Sequence, residues 1–274
     1  MHVVPRVLAS LAAALSACTL LALAARAQDF AGASAPGAEP GVWDLLDRAL
    51  PSAPNSFSAA ATQTRWWDLP GLETRAIAGG AGWRSWRASL GLSQTGDPEL
   101  GWTALALALG SSGDGAGAGA GVRALTRRDR DAPWSLARAF RPGAGLEVGA
   151  GAWLVAAPGV RVWASAPQMW TSGAAPPLSR PLELGVRAGQ GTGAWLRLVA
   201  PRVGDDGERA LGVAIGIAPA LAWAEVRDAP LRGAVGLTVT LAALCVEARV
   251  DAHPVLGETV RLGLAWARGA RPAP

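Results

Sequence analysis

The chain has 274 residues and a formal net charge of +4, and it contains no lysine and no tyrosine. The absence of lysine excludes a Schiff-base enzyme, a Ser-Lys dyad and a phosphate-binding loop that ends in Gly-Lys. The 25 arginines are scattered along the chain and nearly balanced by 21 acidic residues, so the sequence predicts no nucleic-acid partner.

Residues 1–27 have the pattern of a secretory signal peptide. Arg6 precedes an apolar run from Val7 to Ala25, and Ala25-Arg26-Ala27 is a small-x-small cleavage site. We predict cleavage after Ala27, with Leu15-Ser16-Ala17-Cys18, which matches the box that lipidates a bacterial cysteine, as the alternative. After residue 27 no run reaches the roughly 20 apolar residues that a membrane helix needs. Membrane residence therefore requires strands or a lipid.

Residues 28–55 are predicted to form a flexible leader and a short amphipathic helix. Residues 28–40 are largely Ala, Gly, Ser and Pro. Apolar and charged residues then recur at helical spacing until Pro51 ends the segment. The apolar positions are Val42, Trp43, Leu45, Leu46, Ala49 and Leu50, and the charged ones are Asp44, Asp47 and Arg48. Such a helix fits a barrel mouth, the membrane surface or a cap on the fold.

Apolar residues alternate with small or charged residues along most of the remaining chain. In Trp102–Leu109, for example, Leu105, Leu107 and Leu109 alternate with Ala104, Ala106 and Ala108. A period of two places the two sets on opposite faces of a strand. One apolar face and one small or charged face predict an all-β, transmembrane, antiparallel up-and-down barrel with lipid outside and a polar lumen. The predicted strands are 72–83, 86–95, 100–111, 115–126, 143–156, 160–165, 181–189, 193–203, 209–218, 220–227, 232–241, 243–251 and 259–267.

Loop lengths constrain the number of strands. The long connections are 127–142, 166–180 and 252–258. Bacterial barrels have their long loops opposite both termini, which requires one more strand before residue 72. Residues 56–67 alternate and supply it, while Pro219 and Ala242-Ala243 are poor turns that could be bulges. The sequence thus predicts an even number of strands between 10 and 14 in a barrel of residues 56–267, with a tail of residues 268–274.

Charged residues and tryptophans are the candidate functional side chains. Charged residues at the strand positions opposite to the apolar face are expected to line the lumen, as a salt-bridged plug or a narrow pore. They are Glu147, Glu183, Arg187, Arg197, Glu247, Arg249, Asp251 and Arg261. Alanine and glycine on this parity leave room for the 42–50 helix inside. Tryptophans near strand ends are assigned to membrane-interface girdles, with core packing as the alternative. They are Trp83, Trp102, Trp153, Trp163, Trp195, Trp223 and Trp266.

Few residues carry recognisable reaction chemistry. His253 and Cys245 are the only histidine and cysteine beyond the signal peptide, so no zinc set can be assembled. We predict no catalytic residue, no metal and no cofactor, although a hydrolase using His253 and calcium binding by acidic turns such as Asp205-Asp206 stay open. The alternating Gly115–Gly121 segment lacks the helix of a dinucleotide site and instead suits a strand packed closely against another element.

Two segments give the chain a resemblance to a known group of barrels. Trp66-Trp67-Asp68-Leu69-Pro70-Gly71-Leu72-Glu73 follows the short helix, and His253-Pro254-Val255-Leu256-Gly257 precedes the last strand. This layout over residues 42–267 resembles outer-membrane β-barrels of the PorV and long-chain fatty-acid transporter (FadL) group. In that group an Asn-Pro-Ala turn follows the helix, where this chain has Trp67-Asp68-Leu69-Pro70. The resemblance implies uptake of hydrophobic compounds or a role in secretion.

The sequence predicts a non-enzymatic, integral outer-membrane barrel of a Gram-negative cell. Its role would be transport of hydrophobic or small solutes, secretion support or envelope structure. Expected partners are outer-membrane lipids, an unidentified small solute and the outer-membrane insertion machinery, whose aromatic-terminated signal the Val260–Trp266 strand resembles. The alternative is a secreted or lipid-anchored soluble all-β binding protein.

Overall fold

The computed structural model describes residues 42–51, 57–66, 73–96, 100–129, 143–173, 182–189, 192–200, 208–228, 231–253 and 257–268. The predicted signal peptide, the Cys18 lipidation box, the leader to residue 41 and the tail beyond Arg268 lie outside these ranges. Most of the Trp66–Glu73 segment behind the group resemblance lies outside them as well.

The described residues form one short helix and fourteen strands. The helix is α1 (Val42–Arg48). The strands are β1 (Phe57–Arg65), β2 (Glu73–Trp83), β3 (Trp86–Gly96), β4 (Leu100–Ser112), β5 (Ala116–Asp129), β6 (Gly143–Ala157), β7 (Val160–Gly173), β8 (Leu182–Ala188), β9 (Gly193–Ala200), β10 (Glu208–Ile217), β11 (Ala220–Asp228), β12 (Leu231–Leu241), β13 (Leu244–His253) and β14 (Gly257–Arg268).

The strands close into a single antiparallel barrel. Each strand pairs with its neighbours in sequence, and β1 pairs with β14, where Phe57 lies opposite Arg268 and Arg65 lies opposite Val260. Closure satisfies the backbone groups that the edges of an open sheet would expose. The strand number stands at the upper limit of the predicted range, and β1 is the strand that the loop lengths required.

The connections differ in length between the two ends of the barrel. The end with the first residue of β1 and the last residue of β14 carries short turns, such as Arg84-Ser85 and Pro158-Gly159. The longer connections, including 130–142 and 174–181, join strands at the opposite end. We call these the short-turn end and the long-loop end. The arrangement agrees with that of bacterial barrels, whose termini are periplasmic and whose long loops are extracellular.

Both boundaries with poor turn chemistry are tight turns rather than bulges. Ala218-Pro219 joins β10 to β11, and Ala242-Ala243 joins β12 to β13. Ala242 has a left-handed φ of 54°, a conformation that residues with a Cβ seldom adopt. β7 continues to Gly173, well beyond the predicted end at residue 165, and a register shift after Val148 in β6 accommodates the added length.

The two faces of the sheet have opposite chemistry. Aliphatic side chains such as Leu211 (61% exposed), Ile215 (59%) and Leu262 (58%) point outward. Alternate residues are small, hydroxylated or charged and are buried within the barrel. No second sheet covers the aliphatic face in the described ranges, as a soluble sandwich would require. The chain thus has the architecture of an integral outer-membrane barrel.

No helix within the described residues is long and apolar enough to cross a membrane.

Candidate functional site

Helix α1 lies inside the barrel. Residues 43–51 are all buried, including Asp44, Asp47 and Arg48. The helix contacts the strands from β1 to β7, so the inner wall covers both its apolar and its charged face. With side chains, an α-helix is about 10–12 Å wide and occupies much of a barrel of this size. The helix is therefore a plug within the lumen.

Glycines in the wall make room for the helix backbone. A Cβ at Gly151 would lie 2.2 Å from the carbonyl oxygen of Arg48, and a Cβ at Gly119 would lie 2.6 Å from that of Ala49. Both distances are shorter than carbon and oxygen atoms approach without bonding. Only glycine fits where two backbones come this close. The predicted close packing of the Gly115–Gly121 segment is thus packing against α1 and the residues after it.

Four polar contacts fix the depth and rotation of the helix. They are Asp47 Oδ1 to Arg123 Nη2 (2.6 Å), Arg48 Nε to Glu183 Oε2 (3.3 Å), the Ser165 hydroxyl donating to the Arg48 carbonyl (2.8 Å) and Trp153 Nε1 donating to the Pro51 carbonyl (2.9 Å). Both ion pairs are more than four-fifths buried. Buried pairs add little net stability over apolar packing, but they penalise any other register. The seat is therefore specific for one orientation of α1.

The ion pairs continue from α1 across the far wall of the barrel. Successive contacts are Arg48–Glu183 (3.3 Å), Glu183–Arg197 (3.4 Å), Arg197–Glu225 (2.5 Å), Glu225–Arg227 (2.8 Å), Arg227–Asp251 (3.9 Å) and Asp251–Arg249 (2.5 Å). Each of the three carboxylates lies between two arginines. We call this set the ion-pair chain; it links the plug to β8, β9, β11 and β13.

The structure places all eight predicted lumen charges on the inner face. Glu147, Glu183, Arg187, Arg197, Arg249 and Arg261 are buried, and Glu247 and Asp251 are partly exposed. The prediction omitted Arg87, Arg123 and Glu225, which are also buried on this face. Glu225 alternates with alanine and valine in β11, so parity alone could have identified it.

The assignment of tryptophans to the membrane interface is wrong for most of them. Trp153, Trp163, Trp195 and Trp223 are buried inside the barrel, and Trp102 packs inward against Ala104 and Leu125. Each shares its strand parity with lumen residues, as Trp195 does with Arg197 and Trp223 with Glu225. Trp83 and Trp266 are exposed on the outside, where an interface residue would lie.

The four buried tryptophans form an apolar layer near the short-turn end. Each lies opposite a glycine of the adjacent strand: Trp153–Gly117, Trp163–Gly185, Trp195–Gly212 and Trp223–Gly236. A Cβ at these glycines would lie 2.0–2.6 Å from an indole atom, so each ring lies over its neighbouring strand. Two indoles also hold the ion-pair chain, since Trp163 donates to Glu183 at 2.8 Å and Trp195 to Glu225 at 2.9 Å.

The described residues contain no recognisable catalytic or metal-binding centre. No group of three or more His, Cys, Asp or Glu side chains is placed there to hold a metal. Cys245 is a free thiol in β13. The side chain of His253 and the Asp205-Asp206 turn lie outside the described residues. The structure thus offers a charged, plugged lumen as its candidate site.

The chain is similar to solved structures of outer-membrane barrels, but it matches no known protein family. No protein-family model and no curated protein matches the chain. Among solved structures, the outer membrane protein Omp33 of Acinetobacter baumannii is 10% identical, with 77% of this chain and 97% of that chain covered and a TM-score of 0.47. A triple-mutant porin of Rhodopseudomonas blastica is 10% identical, with 78% and 99% covered and a TM-score of 0.40. The narrower resemblance to the PorV and FadL group stays a prediction.

Proposed function

We propose that this protein is an outer-membrane transport barrel whose passage for small polar solutes is closed by α1 and opens when that helix leaves the lumen. The observation that carries the proposal is the plug itself: a helix seated inside a closed barrel by ion pairs and hydrogen bonds rather than by continuous strand pairing. A purely structural barrel could fill its interior with wall side chains alone.

The route by which the plug could leave is set by the chain connectivity. Pro51 contacts the wall next to Gly110 and Gly117, which flank the short turn between β4 and β5. β1 begins at the same end, six residues after Pro51. Helix α1 can therefore withdraw toward the short-turn end while the strands stay paired. Withdrawal would break the four polar contacts, which water can replace, and also the apolar packing of Trp43, Leu45 and Leu46 against the wall.

The wall behind the helix is suited to a water-filled passage. The inner faces of β1 to β3 carry hydroxyl groups and small side chains, including Thr62, Thr74, Ser89 and Ser93. Once α1 has left, these groups can bond to water without rearrangement of the sheet. This favours polar rather than hydrophobic cargo, which distinguishes the proposal from the hydrophobic uptake implied by the group resemblance.

Planar-bilayer conductance tests this proposal directly. We expect the mature chain to be closed for most of the recording and a variant that lacks residues 28–55 to conduct steadily, because the deletion removes the plug and leaves every strand. A control that lacks only residues 28–40 should behave as the full mature chain does. A deletion variant that inserts as a folded barrel yet stays closed would contradict the proposal and favour a structural barrel filled by the tryptophan layer and the ion-pair chain.

The final strand offers a separate test of membrane assembly. Trp266 is 42% exposed on the outer face of β14, opposite Ala59 at the barrel seam. We propose that the insertion machinery reads this strand, and we expect Trp266→Asp to reduce the folded barrel strongly, since a charge on the lipid face opposes insertion. Heat-modifiable gel mobility of membrane fractions measures the folded form. Ala267→Asp places the same charge on the inner face and should assemble; equal assembly of both variants would contradict the role of Trp266.

A further inference from the structure

The rim at the short-turn end has two parts with different chemistry. Two turns carry polar side chains: Arg84-Ser85 between β2 and β3, and Asp114 between β4 and β5. Three further turns carry none, and we call them the apolar turns. They are Pro158-Gly159 between β6 and β7, Ala218-Pro219 between β10 and β11, and Ala242-Ala243 between β12 and β13. In the ring of fourteen strands the β10–β11 turn lies six strands from both polar turns, which places it nearly opposite them.

The apolar turns continue the aliphatic outer face of the barrel. The outward side chains beside two of them are Ile217 (74% exposed), Leu241 (56%) and Leu244 (37%). Along β12 every outward position from Leu231 to Leu241 is an aliphatic residue or glycine. No side chain in the apolar turns, and none of the outward side chains named beside them, can bond to water. The apolar face therefore passes over this part of the rim without a polar boundary.

Two of the turns have the same backbone conformation and opposite chemistry. Arg84 and Ala242 are each the first residue of a two-residue turn, and their left-handed φ angles are 53° and 54°. Glycine, asparagine and aspartate usually fill such a position. The Arg84 guanidinium carbon lies 4.8 Å from the centre of the Trp83 ring, a pairing suited to the boundary between membrane and water. Since one backbone accepts both Arg-Ser and Ala-Ala, the surroundings of the turn account for the difference.

The backbone of the apolar turns is suited to hydrocarbon. An unbonded backbone group is costly there, because no water is available to bond to it. Pro158 and Pro219 have no N–H group. Three turn carbonyls accept from neighbouring hairpins: Gly159 from the Gly189 N–H (2.8 Å), Pro219 from the Thr240 N–H (2.8 Å) and Ala243 from the Ala267 N–H (2.9 Å). The Ser85 carbonyl accepts in the same way from Ser112 at 2.8 Å, so the side chains, not these bonds, distinguish the two kinds of turn.

We propose that the apolar turns are immersed among the acyl chains of the periplasmic leaflet, while the polar turns project into water. Lipid is the occupant because these turns extend the lipid-facing wall without a break and offer no charged or hydrogen-bonding side chain to a protein partner. The barrel would then be tilted, with the β10–β11 turn deepest. Trp266 is level with Leu244, so the β12–β13 turn lies at the edge of the immersed part.

This inference does not depend on the plug, but it bears on the exit of α1. Pro51 packs beside Gly110 and Gly117, next to the polar β4–β5 turn. The proposed exit of the helix is therefore on the half of the rim that faces water.

Quenching of a fluorescent label by lipid tests the depth of each turn. Cys245 is the only cysteine after residue 27, so Cys245→Ser allows one new thiol to be labelled with an environment-sensitive dye. The barrel is placed in phosphatidylcholine vesicles with or without brominated acyl chains. We expect bromine to quench a label at Ala218→Cys at least about twofold more than one at Asp114→Cys, because only the former contacts hydrocarbon. A label at Ala243→Cys should show an intermediate effect.

The matched control for Ala243→Cys is Ser85→Cys, the same position of a turn with the same backbone conformation. It should be quenched as weakly as Asp114→Cys. Heat-modifiable mobility shows that each variant is folded, and Pro158→Cys supplies a further apolar turn if one variant fails to fold. Equal quenching at all positions would overturn the tilt. Weak quenching at Ala218→Cys would place that turn in water and overturn lipid as its occupant, in favour of a protein partner. Neither result depends on conductance, so the proposed function is tested separately.

Discussion

The Gly151→Val variant is expected to fold as a barrel but to hold α1 outside the lumen. A Cβ at this position would lie 2.2 Å from the carbonyl oxygen of Arg48, and a backbone oxygen cannot be moved by a change of rotamer. The wall cannot yield either, because Gly151 lies between Gly119 of β5 and Ser165 of β7 in the paired sheet. Overpacking of this kind costs about 1–3 kcal/mol. The helix is held by four polar contacts and by packing of Trp43, Leu45 and Leu46, without strand pairing, so it gives way before the paired sheet does.

Limited trypsin digestion after Arg48 reports the position of the helix. Arg48 is buried in the parent barrel, so cleavage there requires prior release of α1. A release equilibrium shifted by about 1–3 kcal/mol speeds cleavage by roughly 5- to 150-fold when release is fast relative to cleavage. Gly79→Val is the matched control, because Gly79 faces outward and the nearest atom to its Cβ would be 3.9 Å away. Equal cleavage rates in the two variants would contradict the seat of the helix described above.

The barrel itself could be predicted because the lipid imposes a simple rule on the sequence. Outward strand positions are mostly apolar and inward positions mostly small or polar from Ala59 to Trp266, with the buried tryptophans as the main exception inside. Loop lengths supplied the missing strand, since long loops belong opposite the termini. The end of β7 was missed because its last residues, near Trp170, follow a register shift that breaks the simple period.

The position of the helix and of the tryptophans inside the barrel could not be predicted, for a different physical reason. A helix with one apolar and one charged face satisfies a membrane surface, a barrel mouth or a lumen equally well, so the Val42–Arg48 pattern alone could not choose among them. The glycines opposite it, such as Gly151, carry that information only once the strands are in register. The tryptophans were misplaced because membrane girdles were inferred from residue type. The parity of Trp153 with Glu147 already placed this ring on the inner face.

The largest effect on stability is expected from Glu225→Ala, at the centre of the ion-pair chain. The Glu225 carboxylate accepts from Arg197 Nη2 at 2.5 Å and Nε at 2.8 Å, from Arg227 at 2.8 Å and from Trp195 at 2.9 Å, and its side chain is fully buried. Removal leaves two arginines without this acceptor in the interior. Removing one partner of a buried pair costs about 3–5 kcal/mol of unfolding free energy. The variant should unfold at a clearly lower urea concentration in lipid vesicles.

The paired control is Asp228→Ala, three residues further along β11. Asp228 faces outward with about half of its side chain exposed; its Oδ2 lies 3.8 Å from Arg209 Nε, and its Oδ1 accepts a hydrogen bond from the Arg209 backbone N–H at 2.7 Å. Such surface pairs contribute about 0–1 kcal/mol. Adding Arg197→Ala to Glu225→Ala should restore part of the lost stability, since it removes one of the arginines left without the carboxylate, and the double-mutant cycle isolates their coupling. Similar urea midpoints for Glu225→Ala and Asp228→Ala would mean that water, rather than the ion-pair chain, satisfies these arginines.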